Sequence, residues 1–281
     1  MINKRYLKDE ELADLFKTPI IQNDNYNANS TLFIHNGSVI KIYDGDDTRN
    51  KYNISVINDV FSKLPHLKTI KELVLPEELL IYNGHTVGFS MSYIKGITLK
   101  EIIDNNLYND AAIKNIFVEL LRIINSLKTL PFNFSIGDLH EKNVIIDEEG
   151  KINIIDADSF IIDNNKLHIN GSCIVGKYAN QFYENSELER ANSAIDHYSL
   201  LCIILNYAFK DIIENDFLPV TCLKSDHQFK KLYPIFKRVD DNFILTEEDI
   251  DRIFEFKDNL NYKHKKNKEL ARLIRKIQKE T

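Results

Sequence analysis

Four apolar-rich runs in the first third of the chain predict two β-hairpins. Each pair of runs is separated by Asn-Gly, at 36–37 and 83–84, and this dipeptide tolerates the left-handed backbone that a two-residue hairpin turn needs. Between the hairpins, apolar residues of 51–64 recur at helical spacing, and 8–17 reads as a short amphipathic helix. The predicted strands are Thr31–His35, Ser38–Tyr43, Leu79–Tyr82 and Thr86–Tyr93.

After Gly96 the pattern becomes mainly helical. A short strand pair interrupts it at Val144–Ile146 and Ile152–Ile155, and residues 157–192 are polar and irregular. A small sheet followed by helices predicts an α+β protein of two lobes, with a ligand-binding cleft where the polar-ended strand pair joins them. Helical spacing is found over 98–105, 110–129, 193–209, 246–257 and the basic tail 263–280.

Charge and cysteine content narrow the class of protein. The net charge of −6 disfavours a general nucleic-acid binder, which is usually basic. The three cysteines form no CxxC pair, so neither a zinc ribbon nor a disulfide framework is predicted. The N-terminus leads into a charged helix, and the apolar runs are far shorter than a bilayer span. We therefore expect a cytoplasmic protein without a membrane span and without a nucleic-acid partner.

Three oxygen-bearing side chains frame the short strand pair. Asp138 and Asn143 lie five residues apart just before its first strand, and Asp156 follows its second strand. If the strands pair as a hairpin, Asn143 and Asp156 meet at its open end and offer the oxygen ligands that magnesium prefers. Asp138 would then face an incoming hydroxyl, where a carboxylate can orient it and accept its proton.

The stretch Asp-Leu-His-Glu-Lys-Asn at 138–143 resembles the catalytic loop of protein kinases, and Asp-Ala-Asp at 156–158 stands where these enzymes have D-F-G. The resemblance covers about residues 18–260. It implies a bilobal protein-kinase-like fold, with a β-rich N-lobe over 1–95 and a larger helical C-lobe over 96–281. It also implies that Asp138 is the catalytic base and that Asn143 and Asp156 hold Mg²⁺ or Mn²⁺.

The first strands resemble the nucleotide-binding part of the same family. The run Ser-Val-Ile-Lys-Ile-Tyr at 38–43 is similar to the V-A-I-K strand. The resemblance implies that Lys41 contacts the ATP phosphates and that Val39 lines the adenine pocket. It further implies that Met91 is the gatekeeper-like side chain and that the backbone of Ser92, Tyr93 and Ile94 meets the adenine edge.

Three parts of the sequence depart from the family pattern. The phosphate-covering loop is expected near 23–31, which contains no glycine. Asp59 is the candidate for the helix acid that pairs with Lys41, in place of the usual glutamate. Asp158 replaces the glycine of D-F-G, and it could add a metal contact or cap the following loop.

Two further regions leave alternatives open. Asp196 begins a helix that resembles the buried C-lobe helix, where it could accept backbone N–H bonds from the catalytic loop or cap its own helix. The basic tail 263–280 reads as a solvated face, or as a docking site for an acidic partner or an anionic surface.

The resemblance implies an ATP- and magnesium-dependent Ser/Thr protein kinase. The segment 171–190 supports a protein substrate, because it resembles an activation segment. A first alternative is a small-molecule phosphotransferase of the aminoglycoside or choline type, with Asp249, Asp251 and Glu255 as candidates for an acidic substrate pocket. A second is a pseudokinase that serves as a binding module.

Overall fold

The strands of the first third of the chain join into one mixed sheet. The computed structural model describes residues 3–17, 30–45, 48–163, 194–209, 232, 234–235 and 244–259. The sheet strands are Lys4–Tyr6 (β1), Ser30–His35 (β2), Ser38–Tyr43 (β3), Pro76–Tyr82 (β4) and His85–Ser92 (β5). Their order is β1-β4-β5-β3-β2, with every neighbouring pair antiparallel except β1 and β4.

Both Asn-Gly hairpins are confirmed. Asn36 and Gly37 have φ of 50° and 78°, and Asn83 and Gly84 have φ of 49° and 80°. Positive φ at both central residues is the geometry whose twist matches that of paired strands. The three-residue β1 was not predicted, because Lys-Arg-Tyr carries too short a pattern to show alternation.

Helices cover both faces of the sheet. On one face, α1 (Asp9–Leu15) closes a cluster with Leu7, Leu15, Phe33, Ile40, Ile42 and Leu80. On the other face, α2 (Thr48–Leu67) packs its buried side into the main core with Val39 and Tyr43 of β3. Because successive strand residues point to opposite faces, Lys41 shares the α2 face with Val39 and Tyr43.

The later part of the chain is mainly helical, as predicted. Its described helices are α3 (Leu99–Asp104), α4 (Asp110–Leu127), α5 (Ala194–Phe209) and α6 (Glu247–Asn259). The last three pack on one another, and their buried side chains belong to the same core as α2. The α+β class is therefore confirmed. None of the described helices is long and apolar enough to cross a membrane.

In the described residues of the later part of the chain, five short strands accompany the helices. They are β6 (Gly96–Thr98), β7 (Phe134–Ser135), β8 (Val144–Asp147), β9 (Ile152–Ile154) and β10 (Ile161–Ile162). The predicted hairpin of β8 and β9 is confirmed, with β6 added along its free edge. The chain after α2 also reaches β9, since the Ile154 N–H donates to the Glu72 carbonyl at 2.7 Å.

Some predictions lie outside the described residues. They concern most of the loop at 23–31, the activation-type segment 171–190 and the basic tail 263–280. The irregular stretch predicted from residue 157 is described as far as 163, where it forms a 3₁₀ turn (Ala157–Ser159) followed by β10.

Candidate functional site

Lys41 is the centre of the candidate site. Its Nζ lies 2.7 Å from Oδ1 of Asp156 and 2.7 Å from Oδ1 of Asp158. The lysine side chain is only 12% exposed, because it leaves β3 on the face that α2 covers. Burial alone would lower the pKa of Lys41, but the two carboxylates outweigh it and hold that pKa above its ordinary value. Lys41 is therefore a fixed positive charge.

The two aspartates are presented by the turn that follows β9. Asp156 has φ 74° and ψ 53°, a left-handed conformation that aspartate tolerates better than most residues. The hydroxyl of Ser159 shares its one proton between the Asp156 carbonyl at 2.7 Å and the Ile136 carbonyl at 3.3 Å. The turn also packs against α2. It is thus fixed from both sides, with its carboxylates directed at Lys41.

The two carboxylates differ in their surroundings. The side chain of Asp158 is 3% exposed, and its Oδ2 accepts a hydrogen bond from the Tyr43 hydroxyl at 3.0 Å. Burial raises the pKa of Asp158 to about 6, although Lys41 acts in the opposite direction. Burial also acts to raise the pKa of Asp156, but the Lys41 ammonium holds that pKa below its usual value.

Asp156 and Asn143 fit the metal-binding role that the sequence predicts for them. The Asn143 carbonyl accepts the Ile155 N–H at 3.0 Å, which places Asp156 at the adjoining end of the hairpin. The side-chain nitrogen of Asn143 donates to the Asp138 carbonyl at 3.0 Å. Within the described residues its Oδ1 accepts no hydrogen bond, so a hard-oxygen ligand remains available beside a partly exposed carboxylate. The same residues contain no group of three His, Cys, Asp or Glu side chains that could hold a metal ion.

The loop from Asp138 to Asn143 is held by its own hydrogen bonds. The Asp138 N–H donates to the Ile136 carbonyl at 2.9 Å, and the Asn143 side chain ties the other end of the loop to Asp138. The Asp138 carboxyl group is 34% exposed. It can therefore meet a substrate hydroxyl while its backbone stays fixed.

His140 adds a polar group beside Asp138. Its Nδ1 accepts the Lys142 N–H at 3.1 Å, so a neutral ring carries its proton on Nε2. That Nε2 lies 3.7 Å from Oδ2 of Asp138. Sequence reasoning noted this histidine only as part of a motif, and its contact depends on the fold of the loop.

Asp196 holds the loop from behind. Its carboxylate accepts hydrogen bonds from the Ser135 hydroxyl at 2.9 Å, the Ile136 N–H at 2.9 Å and the Gly137 N–H at 3.2 Å. Of the two roles considered for Asp196, the structure shows the contact with the loop. Burial raises the pKa of this carboxyl to about 6, against the lowering effect of the three bonds.

The predicted adenine-pocket residues lie along β3 and β5. Val39 and Met91 are paired across the two strands and are both buried, and Val39 shares the face of Lys41. The Tyr93 N–H donates to the Gly37 carbonyl at 3.1 Å, so it is already used within the sheet. The hydroxyl of Ser92 contacts Glu77, and Ile94 packs against the core. Nucleotide binding by this segment stays a prediction.

The structure does not bring Asp59 to Lys41. Within the described residues, the carboxylates that contact Lys41 belong to Asp156 and Asp158. The buried side of α2 is formed by Val56, Ile57 and Val60, and Asp59 lies beside that stripe, half-buried.

Sequence reasoning missed Tyr43, Ser135 and Gly137. Strand alternation could have placed Tyr43 on the face of Lys41, but no pattern indicated that its hydroxyl would meet Asp158. Gly137 has φ 78°, and a Cβ there would lie 2.4 Å from the Ser159 carbonyl oxygen. The loop and the Asp156 turn therefore touch at a point that only glycine permits.

Comparison with known proteins adds no relatives. No protein-family model matches the chain, and no curated protein matches it. The functional assignment therefore rests on the residues and their geometry.

Proposed function

We propose that the chain is an ATP- and Mg²⁺-dependent Ser/Thr protein kinase with a bilobal kinase-like fold, able to use Mn²⁺ in place of Mg²⁺. The N-lobe would be residues 1–95 and the C-lobe residues 96–281. The observation that carries this proposal is the contact of Lys41 with Asp156, at 2.7 Å between residues 115 positions apart. In protein kinases a strand lysine and a metal-binding loop aspartate both act at the nucleotide phosphates, so the proximity of Lys41 and Asp156 supports this function.

Each of the chain's own groups has a defined task in this reaction. Asp138 orients the acceptor hydroxyl and takes its proton as the oxygen attacks the γ-phosphorus. The bond from the γ-phosphorus to the β–γ bridging oxygen breaks, and ADP leaves. Lys41 holds the nucleotide phosphates, and Asn143 and Asp156 hold the metal. When bound there, Mg²⁺ supplies charge neutralisation on the phosphate oxygens.

The support for the metal and base set is that hydrogen bonds within the protein fix the loop that carries Asp138 and Asn143. Asn143 anchors the Asp138 backbone through its nitrogen, which leaves its oxygen available. Asp196 fixes the start of the same loop through three hydrogen bonds. Because kinase catalysis consists mostly of positioning and charge stabilisation, such a fixed loop is a functional feature.

The small-molecule alternative is weakened by two contacts in α6. Asp249 was a candidate for an acidic substrate pocket, but it is 1% exposed and its Oδ2 accepts from the backbone and hydroxyl of Thr246. The Asp249 N–H donates to the Thr246 hydroxyl at 3.3 Å, so the two residues form a capping box. Asp251 forms an ion pair with Lys114 at 2.8 Å. Asp249 is therefore a buried helix cap, whereas Asp251 is paired at the surface of α6 and Glu255 is exposed there.

Intact-mass measurement after incubation with ATP and Mg²⁺ or Mn²⁺ tests the proposal. We expect the wild type to gain phosphoryl groups, on itself or on an added protein substrate, and Asp138→Asn to gain them at least about a hundredfold more slowly. Asp156→Asn should show a similar loss, because the metal loses a charged ligand.

Asp104→Asn is the matched control. Asp104 is an exposed carboxylate that pairs with Lys100 within α3. Equal phosphorylation by Asp138→Asn and the wild type would contradict the proposal. A folded wild type that transfers phosphate only to small molecules would establish the first alternative, and one that binds nucleotide without any transfer would establish a pseudokinase.

A further inference from the structure

Asp158 has a role that neither sequence interpretation assigned to it. Its two expected roles were an additional metal contact and a loop cap, and the family pattern has a glycine at this position. In the structure Oδ1 of Asp158 binds Lys41 Nζ, and Oδ2 accepts from the Tyr43 hydroxyl. Both oxygens are thus already engaged by side chains of a single strand.

Asp158 and Asp156 differ in solvent exposure. The side chain of Asp158 is 3% exposed and that of Asp156 is 29% exposed, although both lie 2.7 Å from the same Nζ. A carboxylate enclosed by protein groups cannot readily accept a hydrated cation, which keeps several of its waters. The partly exposed Asp156 can accept such a cation. The metal role therefore belongs to Asp156, and Asp158 needs another explanation.

The position of Tyr43 explains the role of Asp158. Tyr43 is two residues beyond Lys41 on β3, so both side chains leave the same face of the strand. The Tyr43 ring is buried in the main core, next to Phe89 at a centroid distance of 6.4 Å. Its hydroxyl is consequently fixed in space and fixes Asp158 in turn.

We propose that Asp158, oriented by Tyr43, is the residue that positions Lys41 for phosphate binding, in the place that the sequence assigned to Asp59. The role in phosphate binding rests on the proposed kinase function, whereas the positioning itself does not. The lysine is held by a carboxylate on the turn after β9. Its position depends on that turn rather than on an acidic residue of α2.

Placing the acid on this turn has a consequence for the site. The same turn carries Asp156, so the lysine and the metal ligand are set by one rigid element. Lys41 and Asp156 keep their spacing as long as the turn keeps its conformation. The turn is itself held by Ser159, whose hydroxyl bonds the Asp156 and Ile136 carbonyls.

Double-mutant cycles on the full-length protein test the positioning without nucleotide. The cycles combine Lys41→Met with Asp158→Asn, Tyr43→Phe or Asp59→Asn, and urea denaturation measures the unfolding equilibrium constant of every variant. We expect a coupling of about tenfold or more for Asp158 and about threefold or more for Tyr43. Asp59 should couple less than about twofold, because it makes no contact with Lys41.

Tyr43→Phe keeps the ring and removes only the hydroxyl, so it preserves a readout if Asp158→Asn does not fold. A Tyr43 coupling below about twofold, or an Asp59 coupling as large as that of Asp158, would overturn the proposal. Phe117→Leu, which alters a buried side chain of α4, is the control for general loss of stability. It should show no coupling to Lys41→Met.

Phosphotransfer provides the second readout. We expect kcat/KM for ATP to fall about fivefold in Tyr43→Phe and to stay within about twofold of wild type in Asp59→Asn. The reverse ranking would overturn the proposal. If the wild type transfers no phosphate, the kinase function has failed, and the stability cycles still decide whether Asp158 and Tyr43 position Lys41.

Discussion

At the scale of single residues, Asp196 connects the loop that carries Asp138 to α5. One carboxylate on α5 satisfies three donors in and before the loop that carries Asp138. All of these groups are buried, and a buried donor that loses its acceptor costs about 1–3 kcal/mol. The loop conformation therefore depends on a residue that lies 61 positions after Ser135 in the sequence.

We predict that Asp196→Ala lowers the free energy of unfolding by about 3 kcal/mol, because the buried Ser135 hydroxyl and Ile136 N–H lose their acceptor and the Gly137 N–H keeps only the Ser135 oxygen at 3.3 Å. Urea denaturation at neutral pH measures the change. Asp104→Ala removes an exposed carboxylate from α3 and should change stability by no more than about 0.5 kcal/mol. A loss below about 1 kcal/mol in Asp196→Ala would mean that the loop does not depend on this acceptor.

Residue types and their spacing were predictable, but their partners were only partly so. Asp138, Asn143 and Asp156 were found from their positions around two apolar runs, because a hairpin brings residues at its open end together. The contacts of Asp158 with Lys41 and Tyr43 were not predicted from the sequence. Hydrogen bonding by a buried hydroxyl is decided by side-chain directions that no local pattern contains.

At the scale of elements, the pairing of β3 with β5 places Lys41. Gly88 of β5 is opposite Ile42 of β3. A Cβ built on Gly88 would lie 1.9 Å from the Lys41 carbonyl oxygen and 3.1 Å from Cα of Ile42. Both of these are backbone atoms, which cannot swing aside as the end of a flexible side chain can. The close approach of the two strands thus requires glycine.

We expect Gly88→Ala to lower the free energy of unfolding by about 3 kcal/mol, because β3 must move away from β5 to admit the methyl group. Gly84→Ala is the matched control. A Cβ at Gly84 meets nothing within 4 Å, and the strain of its φ of 80° accounts for only about 1 kcal/mol. Thermal and urea unfolding of the two variants compare them directly. Equal losses would mean that steric contact at Gly88 is unimportant.

The elements themselves were mostly predictable, and the failures have local reasons. Helix α2 was predicted over 51–64 and spans Thr48–Leu67, so its existence and its apolar stripe were correct. The rotation of α2 about its own axis leaves Asp59 out of contact with Lys41. Strands β1, β7 and β10 have two or three residues each, too few to show a period.

At the scale of the whole molecule, buried titratable groups couple stability to pH. Burial lowers the pKa of His197 on α5 to about 4, and the positive charge of Lys128 acts in the same direction. The ring Nδ1 accepts the Leu245 N–H at 3.3 Å, and the buried Nε2 has no partner among the described residues. Protonation would therefore place a charge in the core and remove an acceptor.

The sign of the effect follows from proton binding. The unfolded histidine has a pKa near 6.5, so between about pH 4 and 6.5 the unfolded state binds more protons than the folded state. His197 thus makes the protein less stable as the pH falls through this window. Asp158 and Asp196 act oppositely, because burial raises their pKa to about 6 and the folded state binds the extra protons.

We predict that His197→Asn, which keeps an acceptor for the Leu245 N–H, removes the histidine contribution alone. Between pH 7.5 and pH 5, the wild type should lose about 2 kcal/mol of unfolding free energy relative to this variant. Urea denaturation at both pH values gives the difference. A stability difference that stays constant with pH would show that His197 is not buried in its neutral form.

Interactions between residues close in sequence were enough to predict a large part of this structure. The Asn-Gly turns, the strand alternation and the helical spacing depend on neighbours within a few residues, so the hairpins, the main helices and the α+β class were predicted correctly. The spacing of Asp138, Asn143 and Asp156 also follows from a local hairpin. The capping box at Thr246 and Asp249 is local for the same reason.

Only the tertiary structure decided which groups contact one another across the chain. Lys41 meets Asp158 rather than Asp59, Tyr43 orients that aspartate, and Asp196 turns toward the loop. Each of these contacts depends on how far one element is rotated or displaced against another. That arrangement results from the packing of the whole core, in which residues far apart in sequence fill a shared volume, so no short stretch of sequence contains it.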